Sequence, residues 1–239
     1  MRKSLTVVLC GALVLAIAAV AQAALTQTFE LKFTTKKPKT STGFISKLTS
    51  RDPAVKKTPA VSKVVITFPK GTKTDTSTYP VCKATFANLV KPNGNKLCSK
   101  SQIGTGSAIV NAYPLPLGPK NDGIVPAKVF AFNIKNGIIF LAQNSVAPQA
   151  FSGKIKGNVL TVNVPPLPPP NDPAVLTDFV LNVKAKSVKV GKGRRAKRKN
   201  YATTPSSCPK SGKWTTTAVF TYKGAPGKTI KWDTPCSKR

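Results

Sequence analysis

The chain has 239 residues, with 38 Lys and Arg against seven Asp and Glu, no histidine, and a net charge of +31. A missing imidazole removes the commonest general base, the Ser-His-Asp type of triad and most catalytic zinc sites together. Folding does not require so large a cationic excess, which opposes the compact state by self-repulsion; the excess points instead to adhesion on anionic surfaces.

Arg2 and Lys3 lead into an apolar run from Leu5 to Val20 and then Ala21-Gln22-Ala23, the three parts of an export signal ending in an A-x-A cleavage site. Residues 1–23 are therefore expected to be a signal peptide, with the mature chain starting at Ala24. An uncleaved anchor is the other reading, because the run approaches the roughly 20 residues a membrane helix needs. Cys10 follows Val7-Val8-Leu9 rather than the small residues of a lipobox, which argues against a lipid anchor. Four cysteines then remain: Cys82, Cys98, Cys208 and Cys236. An even count in an exported chain implies two disulfides, with three connectivities open. Proximity favours Cys82 with Cys98 and Cys208 with Cys236, each stabilising by roughly 3 kcal/mol through loop-closure entropy. Without histidine or a C-x-x-C pair, no metal site or cofactor is expected.

Leu25 to Thr34 alternates, with Phe29, Leu31 and Phe33 on one face, and predicts a half-buried strand. Gly43 to Leu48 is a candidate second strand, and the X-Pro steps between Ser50 and Pro59 mark a loop. Val61 to Phe68 is nearly continuous and β-branched, the pattern of a strand covered on both faces. Between Thr72 and Lys100 the period is lost; only Lys83 to Val90 suits a short helix, and Cys82 and Cys98 would fold this excursion back. Gly104 and Gly106 lack the third glycine and the following helix of a dinucleotide fingerprint, and read as strand glycines at a bulge.

Strands at Ala127 to Ile134 and Ile138 to Val146, with turns at Lys135-Asn136-Gly137 and Lys156-Gly157-Asn158, form the clearest meander. Val164 to Pro173 (VPPLPPPNDP) reads as an extended crossover between two sheets or as a boundary subdividing the domain. Ala174 to Lys186 resumes a long strand. In Asn200 to Arg239, Trp214, Thr216, Ala218, Phe220 and Tyr222 alternate with polar residues, and a Gly/Pro turn at Lys223 to Gly227 completes a hairpin bracketed by Cys208 and Cys236.

Ser187 to Asn200 (SVKVGKGRRAKRKN) is the candidate binding stretch, with Lys192, Arg194, Arg195, Lys197, Arg198 and Lys199 within ten residues. Such a run is suited to polyanions, because each neutralised phosphate releases counterions and gives salt-dependent, sequence-blind affinity. The plainer reading is a solvated hairpin tip. Only Tyr201 is near enough to stack on an exposed base.

Catalysis without histidine would have to use the seven acids: Glu30, Asp52, Asp75, Asp122, Asp172, Asp178 and Asp233. Most sit beside prolines, glycines or turns, ordinary positions for aspartate. Asp75 and Asp178 are the exceptions, so a secreted glycosidase-like hydrolase using that carboxylate pair is the alternative to a binding role. Gly224-Ala225-Pro226-Gly227-Lys228-Thr229 ends like a phosphate-binding loop but has Tyr222 where the first glycine belongs and lies in a hairpin turn.

Two blocks carry a resemblance: Phe68-Pro69-Lys70-Gly71-Thr72 with Cys82 and Cys98 to Ala108 (CSKSQIGTGSA), and Thr204-Pro205 with Cys208-Pro209-Lys210-Ser211-Gly212-Lys213-Trp214. Their order resembles a family of uncharacterised secreted proteins of soil actinobacteria, and implies an exported protein with no functional residue to carry over. The expectation is a signal peptide followed by one all-β domain over residues 24–239, an antiparallel β-sandwich of about ten to twelve strands with two local disulfides. Its expected role is that of a secreted or cell-surface envelope protein without catalysis. Anionic envelope polymers, lipid headgroups and, without sequence preference, extracellular nucleic acid are the expected partners.

Overall fold

The computed structural model describes residues 25–52, 57–166, 174–191 and 196–237, so the expected signal peptide lies outside the described residues. Period-two hydrophobicity builds the frame. β1 (Thr26–Phe33) buries Gln27, Phe29, Leu31 and Phe33 and turns Thr26, Thr28 and Lys32 outward; β2 (Phe44–Arg51) likewise buries Phe44, Ser46, Leu48 and Ser50. The other long strands are β3 (Val61–Thr67), β5 (Gln102–Asn111), β6 (Ile124–Ile134), β7 (Gly137–Gln143), β8 (Gln149–Lys156), β9 (Val159–Asn163), β10 (Val175–Val183), β14 (Lys213–Tyr222) and β15 (Lys228–Pro235). Of the short ones, β4 (Lys73–Thr74) pairs with β13 (Ala202–Thr203), and β11 (Ser187–Val190) with β12 (Lys197–Asn200).

Eleven strands form one antiparallel sheet in the order β1-β2-β10-β5-β6-β7-β8-β9-β3-β14-β15. The sheet rolls until β1 and β15 lie side by side, nearly closing a barrel. The expected all-β antiparallel fold with two local disulfides is what the chain adopts, and its facing layers are opposite walls of this one rolled sheet. Ring contacts span the interior: Phe44 meets Phe68 at 5.6 Å and Phe140 meets Phe179 at 6.4 Å between centroids. Among the described residues no backbone ladder joins β1 to β15. Thr234 Oγ1 instead donates to Leu31 O at 2.7 Å, Lys228 Nζ donates to Leu25 O at 2.8 Å, and Lys32 Nζ lies 5.6 Å from the Trp232 ring centroid.

The C-terminal hairpin follows its alternation, with Trp214, Thr216, Ala218, Phe220 and Tyr222 all buried. Cys208–Cys236 closes its open end, with Cα atoms 5.7 Å apart, and Cys82–Cys98 closes the excursion at 5.1 Å. That excursion contains a helix α1 (Phe86–Leu89) capped by Thr85 and a 3-10 segment Gly94–Ser101. It packs on the outer wall, where Cys82, Leu89 and Cys98 cluster with Phe132, Ile139 and Leu141. Asn133 pins it: its Nδ2 donates to Thr76 O, Tyr79 O and Pro80 O, and its backbone carbonyl accepts from Cys82 N.

This outer layer corrects one expectation. The strand covered on both faces is β7, all of whose residues from Gly137 to Leu141 are buried, whereas β3 exposes Lys63 and Thr67 and leaves Val65 half-buried. β-Branched composition marked strand character in β3, but two-sided burial required a covering segment that only the fold supplies. Gly104 and Gly106 do sit in β5 beside a register shift, and a Cβ on Gly106 would overlap the Val180 carbonyl oxygen of β10.

The two ends of the barrel differ. Turns 112–123, 144–148 and 223–227 lie at one end; the excursion and the segment 184–212 lie at the other. β9 and β10 are not neighbours, so the proline-rich connection joins separate positions in the wall; its residues 167–173 lie outside the described residues.

Candidate functional site

The basic stretch forms a two-stranded ribbon beyond the end of β10. β11 and β12 pair with Val188 opposite Lys199, Lys189 opposite Arg198 and Val190 opposite Lys197. Directly opposed residues project from the same face of a ribbon. One face therefore carries Lys189 and Arg198 together, and the other carries Lys197 and Lys199 beside two valines. Lys189, Lys197, Arg198 and Lys199 are all exposed, and none has a carboxylate within ion-pair distance among the described residues. Like charges placed directly opposite each other cost roughly 0.2–1 kcal/mol instead of stabilising the ribbon. Lys192, Arg194 and Arg195 lie outside the described residues.

The base of the ribbon is fixed. Tyr201, buried to 1% exposure, donates its backbone N–H to Lys186 O, and its carbonyl accepts from Asp75 N. Its ring meets Tyr79 edge-on at 6.3 Å, and Lys186 Nζ lies 5.4 Å from the Tyr79 ring centroid. Burial pushes the Tyr201 phenol well above its ordinary pKa. Asp75 is held below the usual carboxylate range chiefly by the hydrogen bond from the Ser77 hydroxyl, with a smaller contribution from the nearby charge of Lys199. The sequence run thus marks the cationic ribbon, but it did not reveal that Lys189 stands opposite Arg198. That required the pairing register.

Among the described residues, Asp75 and Asp178 do not come together. Asp178, on β10 near the turn end, accepts a two-pronged bond from Arg51 Nη2 at 2.7 and 2.8 Å, while Arg51 Nη1 donates to Ser50 O and Thr177 O. Asp75 lies at the opposite end, beside Tyr201. Glu30 pairs with Lys32 at 3.0 Å, Asp233 accepts from Thr215 at 2.7 Å, and Asp122 accepts from Ile124 N at 2.9 Å. Asp172 lies outside the described residues. A glycosidase pair needs its carboxyl groups within roughly 10 Å across one cleft, and Asp75 and Asp178 are not so placed. Among the described residues no group of three His, Cys, Asp or Glu could hold a metal ion.

Sequence reasoning missed a second feature altogether. Inside the barrel are two adjoining apolar cavities of about 70 and 80 Å³, both bounded by Phe140, Phe151, Val164, Leu176 and Phe179. The first extends toward the turn end, reaching Leu117, Val146 and Ala147. Period-two patterning assigns these side chains to the interior but cannot tell whether the interior is filled. No protein-family model, no curated protein and no solved structure matches the chain.

Proposed function

We propose that this is an exported, non-catalytic protein of the cell envelope or extracellular space that binds anionic polymers or surfaces through the β11–β12 ribbon. The observation carrying this reading is the opposition of Lys189 to Arg198 on an exposed ribbon without a carboxylate partner among the described residues. Such an arrangement gains nothing internally, yet it presents cations on both faces from an anchored base. A flexible polyanion could lie along either face, displacing counterions as it binds. The wider cationic excess of the chain would raise the encounter rate with such a polymer.

The test uses retention on immobilised heparin and binding to duplex DNA across a salt series, with Lys197, Arg198 and Lys199 replaced together by serine. If each contacts one phosphate, the slope of log K against log salt should become shallower by about 2.7, while the melting temperature stays within a few degrees. An unchanged slope would remove the ribbon as the binding surface. Replacing Lys192, Arg194 and Arg195 in a second variant extends the same test to the rest of the basic run.

A further inference from the structure

We propose that the barrel interior is a binding site for the hydrocarbon chain of a single-chain amphiphile with an anionic head, in the manner of a medium-chain fatty acid. This inference is independent of the polyanion reading. Protein interiors rarely leave voids larger than a water molecule. Here two cavities of about 70 and 80 Å³ lie side by side with five lining residues in common, and we take them together as the lumen. Phe151, Leu176 and Phe179 line it and remain only half-buried, unlike Phe140 and Leu181 in the same lining. A space of this kind is too apolar to hold ordered water, and a lumen of similar size lined by Leu, Ile and Phe takes up benzene.

The polar lining identifies an amphiphile and its orientation. Ser46 lies deep on β2, whereas Asn144 and Gln149 flank the turn between β7 and β8, at the turn end of the barrel. Asn144 is occupied: its Oδ1 accepts from Val146 N and Ala147 N, and its Nδ2 donates to Ala147 O. The Gln149 amide has no side-chain bond among the described residues and is available to a head group. Tyr113, Leu115 and Val146 keep about 40% exposure around this end, forming an apolar collar that an incoming chain would cross. Exposed Lys120 in the adjoining turn favours an anionic head over a cationic one.

The experiment measures displacement of the uncharged fluorophore N-phenyl-1-naphthylamine by a ladder of fatty acids and the matching alcohols. Affinity should rise about fourfold per methylene while chain is being buried, then level off once the lumen is filled. Ala142→Leu, which fills the first cavity, should reduce decanoate affinity about tenfold or more, given the methylenes it excludes, with the melting temperature kept or raised. Gln149→Leu should weaken decanoate more than decanol, whose uncharged hydroxyl makes the weaker bond to the same amide. Ala108→Val provides a second filling variant should Ala142→Leu fail to fold. Absence of chain-length dependence would overturn the proposal, as would equal affinity in a folded filling variant. Loss of decanoate binding in the ribbon serine variant would also overturn it, by placing the fatty acid on the cationic surface. Binding only to phosphatidylcholine vesicles, with no displacement by free decanoate, would reject the free amphiphile in favour of a membrane lipid chain.

Discussion

Breaking the Cys208–Cys236 bridge by replacing both cysteines with serine should lower stability by about 3.6 kcal/mol. The two residues are 28 apart, and the chain-entropy relation gives roughly 12 cal/mol/K for a loop of that length, which at 298 K yields that figure. Measured against a typical domain stability of about 5–15 kcal/mol, this is a large share. The bridge holds together the open end of β14 and β15, which forms one border of the seam, and it stands next to Ser207, whose carbonyl accepts from Trp214 Nε1 at 3.0 Å. Urea unfolding of the variant, followed by far-ultraviolet circular dichroism, should give a lower midpoint and, because the unlinked chain expands further, a steeper dependence on denaturant. The corresponding Cys82/Cys98 variant, with a separation of 16, should lose about 3.1 kcal/mol. A loss below about 1 kcal/mol in the first variant, with an unaltered slope, would refute the reasoning that the unfolded chain is what this bridge constrains.

Gly106→Ala should destabilise by about 3 kcal/mol or more, because the added carbon collides with the backbone oxygen of Val180 rather than with a side chain that can rotate away; thermal unfolding monitors it. Tyr222 donates to Gln27 Oε1 at 2.6 Å and its pKa is raised by burial to about 12. The folded state therefore holds this proton more tightly than the unfolded chain, so the associated stability is intact below about pH 10 and declines as pH rises toward 12. Urea midpoints between pH 9 and 12 should fall for the parent protein and fall less for Tyr222→Phe, which at neutral pH should cost about 1–2 kcal/mol by stranding Gln27. Arg198→Glu should act in opposite directions on stability and binding. It should gain roughly 0.2–1 kcal/mol by facing Lys189 with an opposite charge, while heparin retention falls by more than serine replacement at that position alone produces.

The strands were legible because a wall with one wet face imposes period two on its sequence, as β1, β2 and β14 show. Cysteine spacing likewise matched the pairing, since short loops and short strands left each cysteine near its sequence neighbour. What escaped detection depended on several segments at once. The cover on β7 comes from residues far along the chain, and Asn133 serves the excursion through three carbonyls that no local motif marks. Arg51 and Asp178 stand 127 residues apart and meet only because β2 and β10 are neighbours in the sheet. The cationic stretch was visible as composition, but its like-charge face emerged only from register. The lumen left no sequence signal, because alternating apolar residues look the same whether their side chains meet or leave a gap.

The seam also fixes an order of events. Leu31 receives its closing hydrogen bond from Thr234, 203 residues later, so the N-terminal strand pairs early with β2 but cannot meet β15 until nearly the whole chain is available. Contacts of such separation are costly in entropy and form slowly. During that interval the β14 face carrying Trp214, Phe220 and Tyr222 can be sheltered by β3 and β15 only along its edges. Closure of the barrel, and not formation of any single hairpin, is then the step after which an aggregation-prone apolar surface disappears from view.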